Sequence, residues 1–270
     1  MPSLAAMTFL QELLVAIVQG ITEFLPISSS GHLILIPKLT DFPDQGPLID
    51  VAVHVGSLLA IILYFRKDVI GLARGGFASV GLGKDDEQRR LFWFIAIGTI
   101  PAVLAGLFIK LGGYLEGFRS TDLVAINLIV FGILLGLADR FGKQTKAYED
   151  MSLKDAILVG IAQAMALIPG TSRSGATMTA ARALGYGRVE SARFSFLLAI
   201  PAVFGAGLLA AFDLSEATAQ MQQDAFVSGV LTFFTALATM MFLMNFLKKA
   251  SMLVFVIYRV ILGAALLILL

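Results

Sequence analysis

The chain has 270 residues, of which 58% are hydrophobic and 14% charged, and its mean hydropathy is +0.87. This apolar share is far above that of a soluble domain and predicts an integral membrane protein. The net charge of +1 indicates no nucleic-acid partner, and the absence of cysteine excludes disulfides, thiolate metal sites and a cysteine nucleophile.

The first apolar segment, residues 8–37, is broken near its middle at Pro26. Gln19 and Glu23 precede the break and share one face of a predicted helix. A carboxylate at membrane depth is costly, and it usually faces a cavity or a partner. We therefore expect Glu23 to have a functional role, with helix capping or structural pairing as the alternative.

A serine-rich run follows the break. If a second helix starts near Ser30, its hydroxyl and backbone N–H groups form an anion site, because helix N-termini carry unpaired donors. A serine beside a histidine can also act as a nucleophile, and plain N-capping is the alternative. The run reads Ser28-Ser29-Ser30-Gly31-His32.

Three uninterrupted spans follow, predicted at 48–65, 91–110 and 121–138. Each approaches or reaches the roughly 20 residues that a helix needs to cross a bilayer, which favours helices over a β-barrel. Asp50 and His54 lie near one end of the first span. Structural pairing and function explain these two polar side chains equally well.

The second broken segment, residues 155–187, carries an arginine at its break. Arg173 must be paired at membrane depth, and its planar fork suits phosphate or carboxylate. Hydroxyls surround it, so we interpret it as a phosphate clamp, with a structural ion pair to Glu23 as the alternative. The run reads Pro169-Gly170-Thr171-Ser172-Arg173-Ser174-Gly175-Ala176-Thr177.

Three further spans are predicted at 192–212, 225–247 and 252–270. Arg259 lies inside the last of them and needs a partner. It is a candidate for phosphate binding, and buried structural pairing is the alternative.

The two broken segments resemble each other. Each half is too short to cross a core of about 30 Å, so we expect two re-entrant helical hairpins, with one kinked span each as the alternative. Polar residues recur at equal offsets in the pairs Gln19/Gln163, Ser28/Ser172, Ser30/Ser174 and Gly31/Gly175.

The charges of the loops predict opposite orientations for the two halves. Lys and Arg are concentrated in loops 66–90 and 139–154, and Lys84 is one of them. In contrast, loop 213–224 has no Lys or Arg, and loop 111–120 has only Arg119. The positive-inside rule places the first two loops in the cytoplasm and both termini outside. We expect one membrane domain, 1–270, built as an inverted repeat of about 8–138 and 155–270 whose hairpin tips meet.

These motifs resemble the bacitracin-resistance family of undecaprenyl-diphosphate phosphatases. The first family signature is a Glu/Gln-x-x-x-Glu pair leading into a Pro-x-Ser-Ser-x-Gly-His loop, the second is Pro-Gly-x-Ser-Arg-Ser-Gly-x-Thr, and a Tyr-Arg pair lies in the last helix. The matching positions here are Gln19, Glu23, Pro26, Ser28, Ser29, Gly31 and His32, then Pro169 to Thr177, then Tyr258 and Arg259.

The resemblance implies hydrolysis of undecaprenyl diphosphate to undecaprenyl phosphate and inorganic phosphate. This reaction recycles the lipid carrier of peptidoglycan synthesis and confers bacitracin resistance. The resemblance also implies a divalent metal, Mg²⁺ or Ca²⁺, and a site in the bacterial inner membrane that opens to the periplasm.

The resemblance assigns candidate roles to residues of both motifs. Ser29 is the expected nucleophile with His32 as its acid/base partner, and the alternative is that Ser29 is an anion donor while a metal-bound water attacks. Glu23 is the expected metal ligand, with Gln19 as a further candidate, and Arg173 is the clamp. The expected phosphate-binding residues are Ser28, Ser30, Ser172, Ser174, Thr177 and Arg259.

Other functions compete with this one. Inverted repeats with broken helices also occur in transporters, so a lipid-phosphate flippase is the main alternative, and a passive channel is a third. The expected partners are a polyprenyl diphosphate and membrane lipids. Small residues at Gly98, Ala102, Ala105 and Gly106 suit close helix packing within one chain or in a homodimer.

Overall fold

The computed structural model describes residues 7–83, 85–113 and 120–269, with side chains omitted for 209–216. Lys84 and Arg119, which entered the loop charges, lie outside the described residues. Eleven α-helices form within this part of the chain. They are α1 Phe9–Thr22, α2 Ser29–Leu39, α3 Gly46–Tyr64, α4 Arg66–Ser79, α5 Asp86–Leu111, α6 Thr121–Phe141, α7 Leu153–Met165, α8 Arg173–Ala183, α9 Arg188–Glu216, α10 Ala219–Leu247 and α11 Leu253–Leu269.

The predicted polytopic helical membrane protein is confirmed. Five helices, α3, α5, α6, α9 and α10, are long and apolar enough to span a bilayer, and α11 is an apolar helix of 17 residues. Large apolar side chains point outward from them, for example Leu104 and Phe108 of α5, which are 61% and 67% exposed. These side chains would face lipid.

Helix α4 was not predicted, because its sequence falls in a charged loop. Gly71 and Gly75 allow its backbone to lie against α5, since a Cβ added at Gly75 would come within 2.1 Å of the Gln88 carbonyl oxygen. Basic residues and exposed apolar residues share this helix, as in a helix that lies along a membrane surface.

Both apolar segments break at the predicted positions. Their arms have 14 and 11 residues in α1 and α2, and 13 and 11 in α7 and α8. At 1.5 Å per residue the longest arm covers about 21 Å, which is short of a bilayer core. The structure contains no membrane, so re-entry from opposite sides stays a prediction.

The helix contacts are reciprocal between the two halves of the chain, while the inverted repeat itself stays a prediction. Helix α1 packs on α10 of the other half, and the equivalent α7 packs on α5. Equivalent helices also pair with each other, α3 with α9 and α6 with α11. Gly98 of α5 serves the α5–α7 contact within the chain, because a Cβ on Gly160 would lie 2.1 Å from the Gly98 carbonyl oxygen.

Candidate active site

The two hairpin tips have the same local structure. Ser28 caps α2 and Ser172 caps α8, and both have the left-handed backbone that non-glycine residues rarely adopt, with φ of 78° and 72°. Each cap hydroxyl accepts a bond from a glycine N–H, Gly31 at 3.3 Å and Gly175 at 3.1 Å. Strained backbone of this kind persists only where its surroundings hold it.

Glu23 joins the two tips. One of its oxygens, Oε1, accepts a bond from Arg173 Nη2 at 2.5 Å. The other, Oε2, accepts bonds from Ser29 Oγ at 2.6 Å and Gln19 Nε2 at 3.0 Å, and lies 3.5 Å from His54 Nε2. The ion pair between Arg173 and Glu23, which was the alternative for Arg173, is therefore present in the structure. The Ser29 hydroxyl is also positioned to lose its proton to the Glu23 carboxylate.

A cavity of about 330 Å³ opens beside this cluster. Its polar residues come from both tips and from α3, and its apolar wall comes from α9. The lining residues are Glu23, Ser29, Ser30, Asp50, Val51, His54, Ala166, Ser172, Arg173, Ala202, Val203 and Ala206. This lining combines polar groups on one side with a hydrocarbon surface on the other.

The cavity has the donors that an anion requires. Ser29 and Arg173 are the first residues of α2 and α8, where backbone N–H groups have no partner within the helix and the helix dipole is positive. Arg173 also keeps Nη1 buried without a hydrogen-bond partner. A phosphate placed here would meet two helix N-termini and a free guanidinium donor.

Three of the predicted phosphate-binding residues lie behind the cavity and not in its lining. Ser28 is used as the cap of α2. Ser174 Oγ donates to the Leu25 carbonyl at 3.2 Å, and Thr177 Oγ1 pairs with Ser195 Oγ at 2.6 Å. Their hydroxyls tie the tips to each other and to α9.

His32 does not contact Ser29 as expected. Its Nδ1 lies 2.7 Å from the Ser28 carbonyl oxygen, and its Nε2 lies 2.7 Å from the Tyr258 hydroxyl. Since a carbonyl only accepts, Nδ1 carries a proton, and in the neutral ring Nε2 accepts from Tyr258. The His32 ring therefore connects α2 to α11, and Glu23 is the group that faces the Ser29 hydroxyl.

Arg259 is wholly buried and is not part of the cavity lining. Its guanidinium donates to five backbone carbonyls, three of them at the tips, where the chain leaves regular helix, and two within α6. The distances are 3.0 Å to Leu128, 3.1 Å to Pro26, 3.2 Å to Asn127, 3.0 Å to Gly170 and 2.9 Å to Thr171. Buried structural pairing, the alternative for this residue, is what the geometry shows.

His54, like Asp50, lines the cavity and was not part of the sequence motifs. Its Nδ1 lies 2.6 Å from the Asp50 carbonyl oxygen, which fixes the ring and directs Nε2 at Glu23. The only sequence signal was a pair of polar residues four apart, Asp50 and His54, in an otherwise apolar span.

The residues at Glu23 fit a hard divalent cation that takes most of its ligands from substrate and water. Mg²⁺ sites of this kind use one or two protein carboxylates with substrate phosphates. Glu23 supplies a carboxylate, and the buried Gln19 Oε1 beside it has no hydrogen-bond partner. Within the described residues, no cluster of three or more histidine, aspartate or glutamate side chains forms a complete metal cage.

The fold and the cavity define a helical multi-pass membrane protein whose two broken helices meet at a polar, anion-suited site. The family model described as bacitracin resistance protein BacA matches residues 12–265, and the chain belongs to this family.

Relatives named undecaprenyl-diphosphatase are similar to this protein over nearly its whole length. An undecaprenyl-diphosphatase of Erythrobacter litoralis is 65% identical over an alignment that covers 97% of this chain and 99% of the relative. Undecaprenyl-diphosphatases of Roseobacter denitrificans and Idiomarina loihiensis are 48% and 45% identical, covering 97% and 96% of this chain and 98% of each relative.

Proposed function

We propose that this protein hydrolyses undecaprenyl diphosphate to undecaprenyl phosphate and inorganic phosphate. One observation carries the proposal: the Glu23 carboxylate is shared by a hydroxyl, Ser29, and a guanidinium, Arg173, each at the start of a helix. The names of the relatives support the same reaction. The product is the lipid carrier of peptidoglycan synthesis, and its supply explains bacitracin resistance.

Ser29 is the proposed nucleophile. Its Oγ attacks the terminal phosphorus while Glu23 takes the hydroxyl proton along the 2.6 Å bond. The bond from that phosphorus to the bridging oxygen breaks, and undecaprenyl phosphate leaves with that oxygen. Water then attacks the phosphoserine: one of its protons stays on the phosphate that forms and the other passes to solvent. The bond from phosphorus to Ser29 Oγ breaks, inorganic phosphate departs, and Glu23 returns the first proton to Ser29 Oγ.

Arg173 stabilises the charge on the transferring phosphoryl group. When Glu23 takes up a proton, it no longer balances the guanidinium, so the positive charge becomes available to phosphoryl oxygens beside it. The N–H groups at the starts of α2 and α8 add fixed donors. Direct attack by water, with Ser29 as a hydrogen-bond donor, is the alternative route.

A divalent cation, Mg²⁺ or Ca²⁺, completes the proposed site. Glu23 would hold it, with Gln19 Oε1 as a second oxygen, and the ion would neutralise diphosphate charge. Ser30 and Ser172 line the cavity on either side and are the proposed hydroxyl donors to phosphate oxygens.

Phosphate release by purified protein tests the function. In nanodiscs, undecaprenyl diphosphate should yield inorganic phosphate, and EDTA should stop the release until Mg²⁺ or Ca²⁺ is restored. A lipid-phosphate flippase predicts movement of labelled lipid between leaflets with no phosphate release, and that result would replace the hydrolase.

We further propose that the protein lies in the bacterial inner membrane with its cavity open to the periplasm. The loop charges support this orientation. Because the native chain has no cysteine, single cysteines at Thr145 and Gln220, both exposed, report sidedness. An impermeant thiol reagent should label intact cells at Gln220 alone, and labelling at Thr145 would overturn the orientation. We also retain the homodimer as a proposal, which particle mass in nanodiscs tests.

A further inference from the structure

A second cavity, which we call the apolar groove, lies between α3, α9 and α10. Its volume is about 570 Å³, within the range of small-molecule sites. Gln222 is the one polar side chain among its lining residues, which otherwise are aliphatic, glycine or phenylalanine. No step of the proposed reaction uses this groove.

The apolar groove adjoins the catalytic cavity. Val51 lines both. On α9, Ala206 lines the catalytic cavity and the next residue, Gly207, lines the groove. A polar cavity beside Glu23 and a hydrocarbon groove between α3 and α10 therefore lie side by side.

The far edge of the apolar groove opens outward. Phe226 and Phe234 on α10 are 72% and 62% exposed, and a bilayer would surround them. The floor is closed by contact of two helix backbones, since a Cβ on Gly56 would lie 2.2 Å from the Gly229 carbonyl oxygen. A chain lying in the groove would thus run from the catalytic cavity into the lipid without crossing polar surface.

We propose that the apolar groove binds the isoprene units next to the diphosphate, while the distal units of the chain remain in the bilayer. This inference rests on the proposed function. A methyl-branched hydrocarbon has no hydrogen-bonding groups, and it therefore matches the apolar lining of the groove. Gly207 carries no side chain, so α9 adds no atoms to the groove beside Val55, where it meets the catalytic cavity.

Two glycines on α9 give a matched pair of variants. A Cβ on Gly207 would meet Val55 Cγ2 at 2.9 Å, whereas a Cβ on Gly205 meets no atom within 4 Å. Gly207→Leu fills the groove where it joins the cavity, and Gly205→Leu adds the same side chain outside it. Both replace a helical glycine by a better helix former, so helix propensity does not distinguish them.

The chain length of the substrate separates a groove effect from a catalytic one. For undecaprenyl diphosphate, Gly207→Leu should raise KM by about tenfold or more, as loss of apolar pocket contacts does, and Gly205→Leu should leave it unchanged. For methyl diphosphate, which has no isoprene unit, both variants should match the parent. Equal KM values for Gly207→Leu and the parent on the long substrate would overturn the proposal.

Photo-crosslinking gives a readout that needs no turnover. An undecaprenyl monophosphate with a diazirine on its second isoprene unit should label the peptide containing Phe226 and Phe234, and Gly207→Leu should abolish the label. Equal labelling of that peptide by a phosphatidylcholine with a diazirine acyl chain would overturn the proposal. The proposal would also fail if Phe226 and Phe234 proved to be buried against a second copy of the chain. Failure of the hydrolase would instead appear as absent phosphate release with this labelling intact.

Discussion

The two hairpin tips are built alike and differ at the position that matters for chemistry. Directly after the cap, the first tip carries Ser29 and the second carries Arg173, and both contact Glu23. In the second half, Leu167 stands where Glu23 stands in the first. Gln163, the counterpart of Gln19, accordingly is buried with both amide atoms unpartnered. The two similar helix starts thus differ at their first residue, a hydroxyl at the first tip and a guanidinium at the second, and these are the groups that the proposed function uses as nucleophile and clamp.

The largest effect should come from the carboxylate that only the first half has. Glu23→Gln removes the proposed base and metal ligand and leaves Arg173 without its counter-charge, so we expect a loss of at least about 10³ in rate. Phosphate release at saturating metal measures this. Leu167→Gln introduces the same glutamine at the position equivalent to Glu23 in the second half, and it should keep most activity. Gln19→Glu should also be tolerated. Wild-type turnover by Glu23→Gln would contradict the assignment.

Ser29→Ala tests the reactive side of the comparison. We expect activity near background, because no other cavity hydroxyl donates to Glu23 among the described contacts, while Ser30→Ala retains substantial activity. A rapidly quenched reaction with substrate labelled at its terminal phosphate should place label on Ser29. Substantial turnover by Ser29→Ala would instead favour attack by water.

Arg173→Lys tests the charged side. Lysine keeps the charge but cannot pair with Glu23 and hold phosphate through one planar fork, so we expect a loss of about 10²–10³ in rate with unchanged folding. Thermal unfolding in detergent provides the control, together with Arg140→Lys at an exposed site. Near-normal turnover would mean that charge alone suffices at the second tip.

The smallest effect should come from the hydrogen bond between His32, in the first hairpin, and Tyr258 of α11. His32→Ala should slow turnover with substrate still bound, and Tyr258→Phe should reproduce part of this loss, roughly fivefold for one hydrogen bond. Rates measured for both variants and their double form a cycle. Fully additive losses would show that His32 acts independently of Tyr258.

Much of this architecture could be predicted because it depends on local sequence. Proline and serine at the breaks predicted the ends of α1 and α7, and apolar length predicted the spans. The structural alternative for Arg173, an ion pair with Glu23, was also predicted, since opposite charges at membrane depth must pair.

The parts that could not be predicted depend on contacts between distant segments. Arg259 bonds to backbone carbonyls, which every residue has, so no side-chain pattern marks its partners. His32 meets Tyr258 across 226 positions of sequence. Helix α4 was missed because its three glycines and several charges are typical of a loop, although the glycines suit a helix packed closely on α5.

The carbonyl contacts of Arg259 have a consequence for biogenesis. Pro26, Gly170 and Thr171 enter the membrane before α11 is synthesised, and at that depth their oxygens have no water to satisfy them. We therefore expect these three carbonyls to lack their final hydrogen-bond partner until the last helix arrives with Arg259. A nascent chain that stalls before Arg259 would carry every reactive residue yet lack an assembled site, so activity toward the lipid carrier would begin only when insertion is complete.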